Sequence, residues 1–588
     1  MFIRPCYRQK DGKRHAYWSL VESYRSERGP RQRVVAYLGR LDEAGRLGVQ
    51  QAATPESSAN RRQQRLPFAE EASCALDDTA AQPRWVTVNT SAVRVENCLQ
   101  FGGPWLALEL IKKIGLDDFL TQHLPGGRAE VAWSKMALVL VICRLCEPSS
   151  ELSIAEHFYR DSALRELLGI PAKKIYHTRL YRALDQLLPC KEKLEVFLRN
   201  RLGELFNLEY DLLLYDVTST YFEGQAKRNP KAKFGYSRDK RSDCRQVCIA
   251  LVVSRCGMPI GYEVFDGNRR DSTTVEEIVQ TMEARYGKSD RVWVMDRGML
   301  SEANLKFLME GDRRYIIGTP KSMLKQFERE LLDASWDHVR EGIEVKLCKS
   351  PDGKNETFIL CRSRDRVEKE KAIFARFESR IEEGLKKIEA SCEAKKHAPL
   401  KIAERVGRLK GANSRAARLF DVKVEQREDG GTRITWTKDE SFRKWATLTD
   451  GCYVLRSNVN DWSPDELWRA YMQLTEAEAA FRIQKSDLRI RPIWHQKEDR
   501  VLAHILVCFL AYVLWQTLAQ MCRRAGLGDE PRRVLDELGK LRQVDVVLPT
   551  SEGIEIRRRC VTRPTQHQAI LLDRLGLNLP RTLETTEM

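Results

Sequence analysis

Two hydrophobic periods alternate along the chain. Leu212-Leu213-Leu214-Tyr215-Asp216-Val217-Thr218 is a run of large apolar residues that ends on an acid. A run of that length, with turn-rich sequence after it, predicts a buried strand. The stretches 246–253, 259–265, 291–296 and 314–318 carry the same signature. A tight turn at Arg255-Cys256-Gly257 makes the first two of these an antiparallel hairpin. Helical periodicity fills the intervals from about Thr273 to Tyr286 and from Ser301 to Glu310. It also dominates 95–207, as in Leu106–Ile114 and Leu152–Phe158, with Gly115, Gly126-Gly127 and Pro148 as punctuation. The longest apolar stretch, Ile505 to Trp515, falls short of the roughly 20 residues that span a bilayer. It predicts a buried helix and no membrane partner.

The remaining segments differ in character. Residues 1–45 hold two β-prone runs, Ala16–Tyr24 and Arg33–Gly39, separated by Gly29-Pro30, which predicts a hairpin module crowded with arginine and lysine. Residues 46–88 lack a sustained period and read as a flexible linker. Residues 319–460 read as a β-rich insertion (Glu344–Leu347, Thr357–Leu360, Thr432–Trp436, Cys452–Leu455) around a charged helical stretch from Glu368 to Lys410. Ser463-Pro464-Asp465-Glu466 is a helix start with N-cap, first-turn proline and capping box. The predicted helix carries Leu467, Tyr471, Leu474, Glu478, Phe481 and Lys485. Beyond 498 the pattern is helical to about 540, then polar and irregular. The implied domains are 1–45, the linker 46–88, a helical DNA-binding domain 89–207, a core in two parts (208–318 and 461–540), the insertion 319–460 and a C-terminal region 541–588.

The core order is β-β-β-α-β-α-β. A strand hairpin followed by right-handed crossovers is the pattern of an α/β, RNase H-like mixed sheet. In that arrangement the first and fourth strands are parallel neighbours, and their C-terminal tips place Asp216 beside Asp296. Tyr471, Leu474, Glu478 and Lys485 follow one another at three, four and seven residues, which puts them on one helical stripe. That stripe would bring Glu478 to the two aspartates. Three such acids repel by about 4 kcal/mol per pair at intermediate dielectric. Divalent cations remove the repulsion, and hard oxygen ligands suit Mg²⁺ or Mn²⁺. Two such ions can clamp an in-line phosphodiester displacement. Taken singly, each acid has a plain structural reading. Asp216 would cap a strand end, Asp296 would cap the next helix, and Glu478 would pair with Arg482 four residues on.

Composition sharpens the partner. The chain has 588 residues, enough for several domains, with 99 basic against 83 acidic side chains, a net charge of +16 and a pI near 9.1. That balance favours a polyanion, most commonly nucleic acid. The 16 cysteines are scattered. The one close pair, Cys143 and Cys146, has no second pair to complete a zinc site and lies in an apolar helical run. Scattered thiols and the lack of an apolar leader after Met1 point to the cytoplasm. Asp266 and Asp271 are read as shaping a turn, and His157-Phe158-Tyr159-Arg160 as helix packing.

Several motifs together resemble the bacterial insertion-sequence transposases of the DDE type, in the branch with a β-rich insertion and a Tyr-Arg-Glu-Lys signature helix. Tyr471, Glu478 and Lys485 match that signature in spacing, with Leu474 in place of the arginine. Tyr215-Asp216-Val217-Thr218 with Tyr221-Phe222-Glu223-Gly224, Phe265-Asp266-Gly267-Asn268 with Asp271, Asp296-Arg297-Gly298-Met299 and Glu478-Ala479-Ala480-Phe481-Arg482 are similar to the same group. The resemblance implies that Asp216, Asp296 and Glu478 hold the metals. Water then frees a 3′-hydroxyl at the transposon end, and that hydroxyl attacks target DNA. Tyr471 and Lys485 would contact phosphates at the cleaved end, with Arg482 substituting for the missing arginine and Arg297 also on DNA. Some relatives flip a base near the end onto an aromatic residue, a part Trp436 or Trp445 could take, although each is better read as packed in the insertion's own core. The implied partners are the inverted-repeat ends and target duplex, with a homodimer on DNA. Two other functions stay open at this level: a DNA-binding derivative without catalysis and a related RNase H-like nuclease.

Overall fold

The computed structural model describes residues 2–10, 13–26, 29–39, 86–126, 130–288, 290–353, 355–428, 430–580 and 582–587. Nearly all of the expected linker, 46–85, lies outside them. The N-terminal stretch is an antiparallel three-stranded sheet of β1 (Phe2–Lys10), β2 (Lys13–Ser26) and β3 (Gly29–Gly39). The added strand β1 contains Pro5, which argues against a central strand but is tolerated at the sheet edge that β1 occupies.

After β4 (Arg94–Gln100) come four main helices, α1 (Gly102–Ile114), α2 (Trp133–Cys146), α3 (His177–Leu187) and α4 (Lys191–Phe206). α3 buries Leu180, Ala183, Leu184 and Leu187. Its Arg179 donates to Lys174 O and Glu130, so this arginine is engaged within the protein.

The core sheet then forms from β5 (Leu212–Tyr221), β6 (Gln246–Val253), β7 (Pro259–Asp266), β8 (Val292–Met295) and β9 (Arg314–Gly318), with α5 (Val275–Tyr286) and α6 (Glu302–Glu310) as crossovers. Their spatial order is β7-β6-β5-β8-β9, with β5, β8 and β9 parallel and β6 and β7 antiparallel. This is the RNase H-like arrangement. The sheet does not stop at β9. β10 (Asp337–Arg340), β11 (Ile343–Lys349), β12 (Thr357–Ser363) and β15 (Cys452–Ser457) continue it, in the order β9-β15-β12-β11-β10, to nine strands. Only the helix pair α7 (Arg364–Ala394) and α8 (Pro399–Ala412) with the hairpin β13 (Phe420–Gln426) and β14 (Thr432–Lys438) stands apart, around its own core of Ile381, Leu385, Ile402, Phe420 and Ile434.

The chain returns through α9 (Pro464–Met472) and α10 (Thr475–Ser486) to α11 (Glu498–Arg524). Side chains alternate across the sheet. Leu213, Tyr215, Trp293, Met295 and Ile317 face α5 and α6, whereas Leu212, Leu214, Val294 and Ile316 face the side of α10 and α11. Among the described residues α11 is the one helix long and apolar enough to cross a membrane, and it is almost wholly buried inside the protein. Its Phe509 ring lies 4.9 Å from Tyr262 of β7, and Tyr512 Oη donates to Gly257 O at 2.9 Å.

The C-terminal region is not irregular as its polarity implied. β16 (Arg542–Pro549), β17 (Glu555–Val561) and β18 (Thr582–Glu587) join β4 in a four-stranded sheet. Its buried positions include Gln543 and Asp545, and Asp545 is held by Asn97 and Arg559. Tyr512→Phe strips the donor from buried Gly257 O. Chemical denaturation is expected to show a loss of about 1–3 kcal/mol, and an unchanged midpoint would mean that this bond does not fasten α11 to the sheet.

Candidate functional site

The site begins with a register. β5 and β8 are parallel, with Tyr215 opposite Met295. The next residues, Asp216 and Asp296, therefore lie side by side, about 4.8 Å apart in strand spacing, on the sheet face opposite Tyr215 and Met295. Asp216 is not at a strand tip. β5 runs on to Tyr221, and Asp216 pairs across the antiparallel ladder with Leu251 of β6. It is half-buried, whereas Asp296 sits exposed just past the end of β8.

The helix expected to carry Glu478 is two helices. α9 starts at the anticipated capping box, with Ser463 Oγ accepting from Glu466 N and Glu466 returning to Ser463 N. It ends at Met472. Gln473 and Leu474 then follow a tighter i→i−3 bonding pattern before α10 begins. Tyr471 and Glu478 thus approach the aspartates from different helices rather than along one stripe. Leu474 is buried in the core at this break. α10 packs on β5 and β6 through Ala477, Ala480 and Phe481 and leaves Glu478 exposed beside the two aspartates. Arg482 is exposed one turn on.

Tyr471 is placed by a missing side chain. Gly318 ends β9 in the row that continues Asp216 and Asp296 across the sheet. A Cβ there would lie 2.4 Å from Tyr471 Oη. The phenol occupies that space beside Asp296, and burial and the Asp296 charge keep it protonated. Lys485 takes a different partner from the one expected. Its Nζ is 3.0 Å from Asp239 Oδ1, in a carboxylate that also pairs with Arg491. Burial and the nearby Arg238 charge push Lys485 down to about 8, against the pull of Asp216. Asp239 at 3.0 Å works in the same direction as Asp216, so the ammonium keeps its proton. Arg238, which lowers Asp216 through its charge, is tied to Asp271. Asp271 therefore braces the loop after β5, in keeping with its turn-shaping role. Arg297 is exposed at the mouth of the site. Trp436 and Trp445 are partly buried against two separate cores of the 319–460 region.

Electrostatics favour a cation. Burial pushes the Asp216 carboxyl up to about 7, and the charges of Asp296 and Glu478 push it the same way. Burial and Asp296 also raise Glu478. Asp216 Oδ1 accepts from Val217 N at 2.7 Å, and among the described residues no cationic side chain bonds the carboxylate directly. Among the described residues no three acidic, histidine or cysteine side chains close around a single point. The three carboxylates frame an open cleft, and their all-oxygen donor set suits a hard divalent ion with room for water and phosphate. Arg238, Asp239 and Gly318 were missed in sequence. The first two sit in a basic loop where their charges read as solvated, and the glycine reads as a strand end.

Two family models match the chain. A family model described as "Transposase DDE domain" matches residues 207–514, more than half of the chain. A second, "IS1634 family transposase, N-terminal domain", matches residues 3–65. No curated protein matches. A chain of the "Cryo-EM structure of piggyBac transposase synaptic complex with hairpin DNA" is similar over 78% of this chain and 82% of that one, at 10% identity and a TM-score of 0.35.

Two outcomes are expected. A carboxyl raised in the folded state binds its proton more tightly there, so stability falls as pH climbs from the usual carboxylate range to about 7 and is flat above. Metal-free Asp216→Asn is therefore more stable than the parent at pH 8, by about 4 kcal/mol at most, with a smaller gap at pH 5. Mg²⁺ should raise the melting temperature of the parent and not of the variant. Equal melting at pH 8 without metal would refute the buried-charge account. Gly318→Ala should dislodge Tyr471 and lower DNA-end cleavage about 10-fold or more, with little change in melting temperature.

Proposed function

The chain belongs to the transposase DDE-domain family, as an insertion-sequence transposase, and on that premise we propose that Asp216, Asp296 and Glu478 are the carboxylates of its DNA cleavage and strand-transfer centre. The observation that carries this reading is the β5–β8 register, which sets two acids side by side, with a third delivered by α10. Members of this family use divalent metal. Here the ion is Mg²⁺ or Mn²⁺, two of them, held by those three side chains. When bound, such ions supply charge to the attacking and leaving oxygens of an in-line displacement.

The chain's own residues do the rest. Tyr471, kept protonated by burial and the Asp296 charge, has one proton to donate. It donates that proton to a phosphate oxygen of the bound strand. Arg482, one turn beyond Glu478, and Arg297, next to Asp296, are exposed and bind the strand backbone. Lys485 reaches a phosphate only by exchanging Asp239 for it, so it acts on the bound complex rather than on the free protein. The buried Leu474 means that no side chain from that position takes part, and Arg482 supplies the charge instead. The substrate is double-stranded DNA: the inverted-repeat ends of the element and a target duplex. Two ends require two protomers, so the working form is a homodimer on DNA. The 89–207 helices and the N-terminal sheet serve recognition of the ends.

Asp216→Ala, Asp296→Ala and Glu478→Ala should each lower Mg²⁺-dependent nicking of the DNA flanking the reading frame by about 10²-fold or more. Joined strand-transfer products should disappear with nicking. Unchanged nicking in all three variants would remove these residues from the chemistry, and nicking without any joined product would make the protein a nuclease.

A further inference from the structure

Beside the acids lies a cavity of about 480 Å³ that the reaction as described does not use. One side belongs to the core: Asp296 and Gly318 at the ends of β8 and β9, with Tyr471 of α9. The other side comes from the 319–460 region. α7 contributes Arg366 and Lys369 from its first two turns, and the turn after α8 contributes Arg415. Arg297 completes the rim.

The charge of this cavity is concentrated and one-signed. Elsewhere buried or half-buried arginines face carboxylates, as at Arg285, Arg313, Arg456 and Arg559. Among the described residues none of Arg297, Arg366, Lys369 and Arg415 has a carboxylate partner. The one other acid in the wall, Glu370, is already neutralised: Lys321 Nζ lies 2.6 Å from its Oε2, and Gly451 N donates to the same atom at 3.0 Å. The wall is also built rather than merely exposed. Arg366 lies 4.3 Å over the ring centre of Tyr453, and that ring is fixed by Trp468 Nε1 donating to its hydroxyl at 2.8 Å. The Arg366 charge also reaches Tyr471, which links this wall to the phenol beside Asp296.

We propose that this cavity is a phosphate-binding channel for one DNA strand, in which Arg366, Lys369 and Arg415 hold the phosphodiesters adjacent to the bond positioned at Asp296. The inference rests on the proposed role of Asp296. Unpaired cations converge on a groove that has Asp296 in its wall, and a continuous polyanion satisfies several of them at once. The volume lies within the range of small-ligand sites, about 300–1,000 Å³. Asp296 is shared with the proposed cleavage centre, however, so the occupant is the strand being cut rather than a separate small molecule. The three residues are positioning residues. They fix the strand by its backbone, and without the folded 319–460 region the acids would face an unheld phosphodiester.

The test uses the full chain and a duplex taken from the DNA flanking the reading frame. In EDTA, where no cleavage occurs, Arg366→Gln, Lys369→Gln and Arg415→Gln should each weaken binding about tenfold and flatten the plot of log affinity against log salt by about one contact. Lys386→Gln, on an exposed part of α7 outside the cavity, should change neither, which controls for simple loss of charge. Neutral methylphosphonates are then placed singly on either side of the cut site. One such position should weaken the parent and have no further effect on the matching variant, a result that misfolding or general charge loss cannot produce. Three variants with parental affinity and salt slope, or methylphosphonate penalties that are the same in parent and variants, would overturn the channel. Failure of the parent to nick with Mg²⁺, alongside the expected binding results, would instead remove the cleavage role and leave the channel standing.

Discussion

The pairing of Tyr215 with Met295 sets a constraint that the rest of the molecule has to accommodate. A parallel register admits no adjustment: once these two residues are opposite, the acids that follow them are neighbours on one face. A buried carboxylate with a like charge at strand spacing opposes folding, and burial first, then the Asp296 charge, gives Asp216 its high proton affinity. A sheet buried on both faces tolerates the arrangement because its apolar rows, Leu212, Leu214, Val292 and Val294 on one side and Leu213, Tyr215, Trp293 and Met295 on the other, hold the register whatever the charges do. Stability is thus drawn from the apolar rows and spent at a single row of the sheet.

Neighbouring elements then complete that row. Gly318 leaves room for Tyr471, and α10 lies flat on β5 and β6 so that one side chain of its outer face arrives at the aspartates. Buried α11 carries this layer. It touches β7 with one side and the α2–α3 helices with another, so the helical layer and the sheet share a single apolar spine. The loop after β5 is fastened by Arg238 to Asp271 and by Asp239 to Lys485 and Arg491. These ion pairs brace residues that surround the acids without belonging to them.

Legibility in the sequence followed the physics of each element. The five core strands were readable because burial on both faces writes itself as unbroken apolar runs, and Ser463 with Glu466 marked a helix start within a residue. The break at Gln473-Leu474 was not readable, since the chain there merely tightens while staying in the helical region, and neither glycine nor proline is needed. β16 escaped notice for the opposite reason to the core strands. Its inward positions include Gln543 and Asp545, and the partners of Asp545, Asn97 and Arg559, come from other strands, so a polar pattern conceals a buried face. The same holds for Lys485. A basic residue at a signature position reads as a ligand contact, and only the fold reveals the carboxylate already beside it. Strand pairing across the 319–460 region was invisible as well, because nothing local says which sheet a short strand will join.

That region leaves β9 at Gly318 and comes back beside it through β15, whose Leu455 is the direct partner of Gly318. Topologically the two strands are a hairpin whose turn has been replaced by more than a hundred residues. Chain entropy tolerates this well, because closing a loop of that length costs only about 2 kcal/mol more than closing one of about ten residues. Part of even that cost is offset inside the loop, where α7, α8 and the β13–β14 hairpin pack on one another. The splice point is therefore a place where length is nearly free. Chain can be gained or lost between β12 and β15 without disturbing the hydrogen bonds on either side, provided β15 comes back in register with Gly318 and with β12.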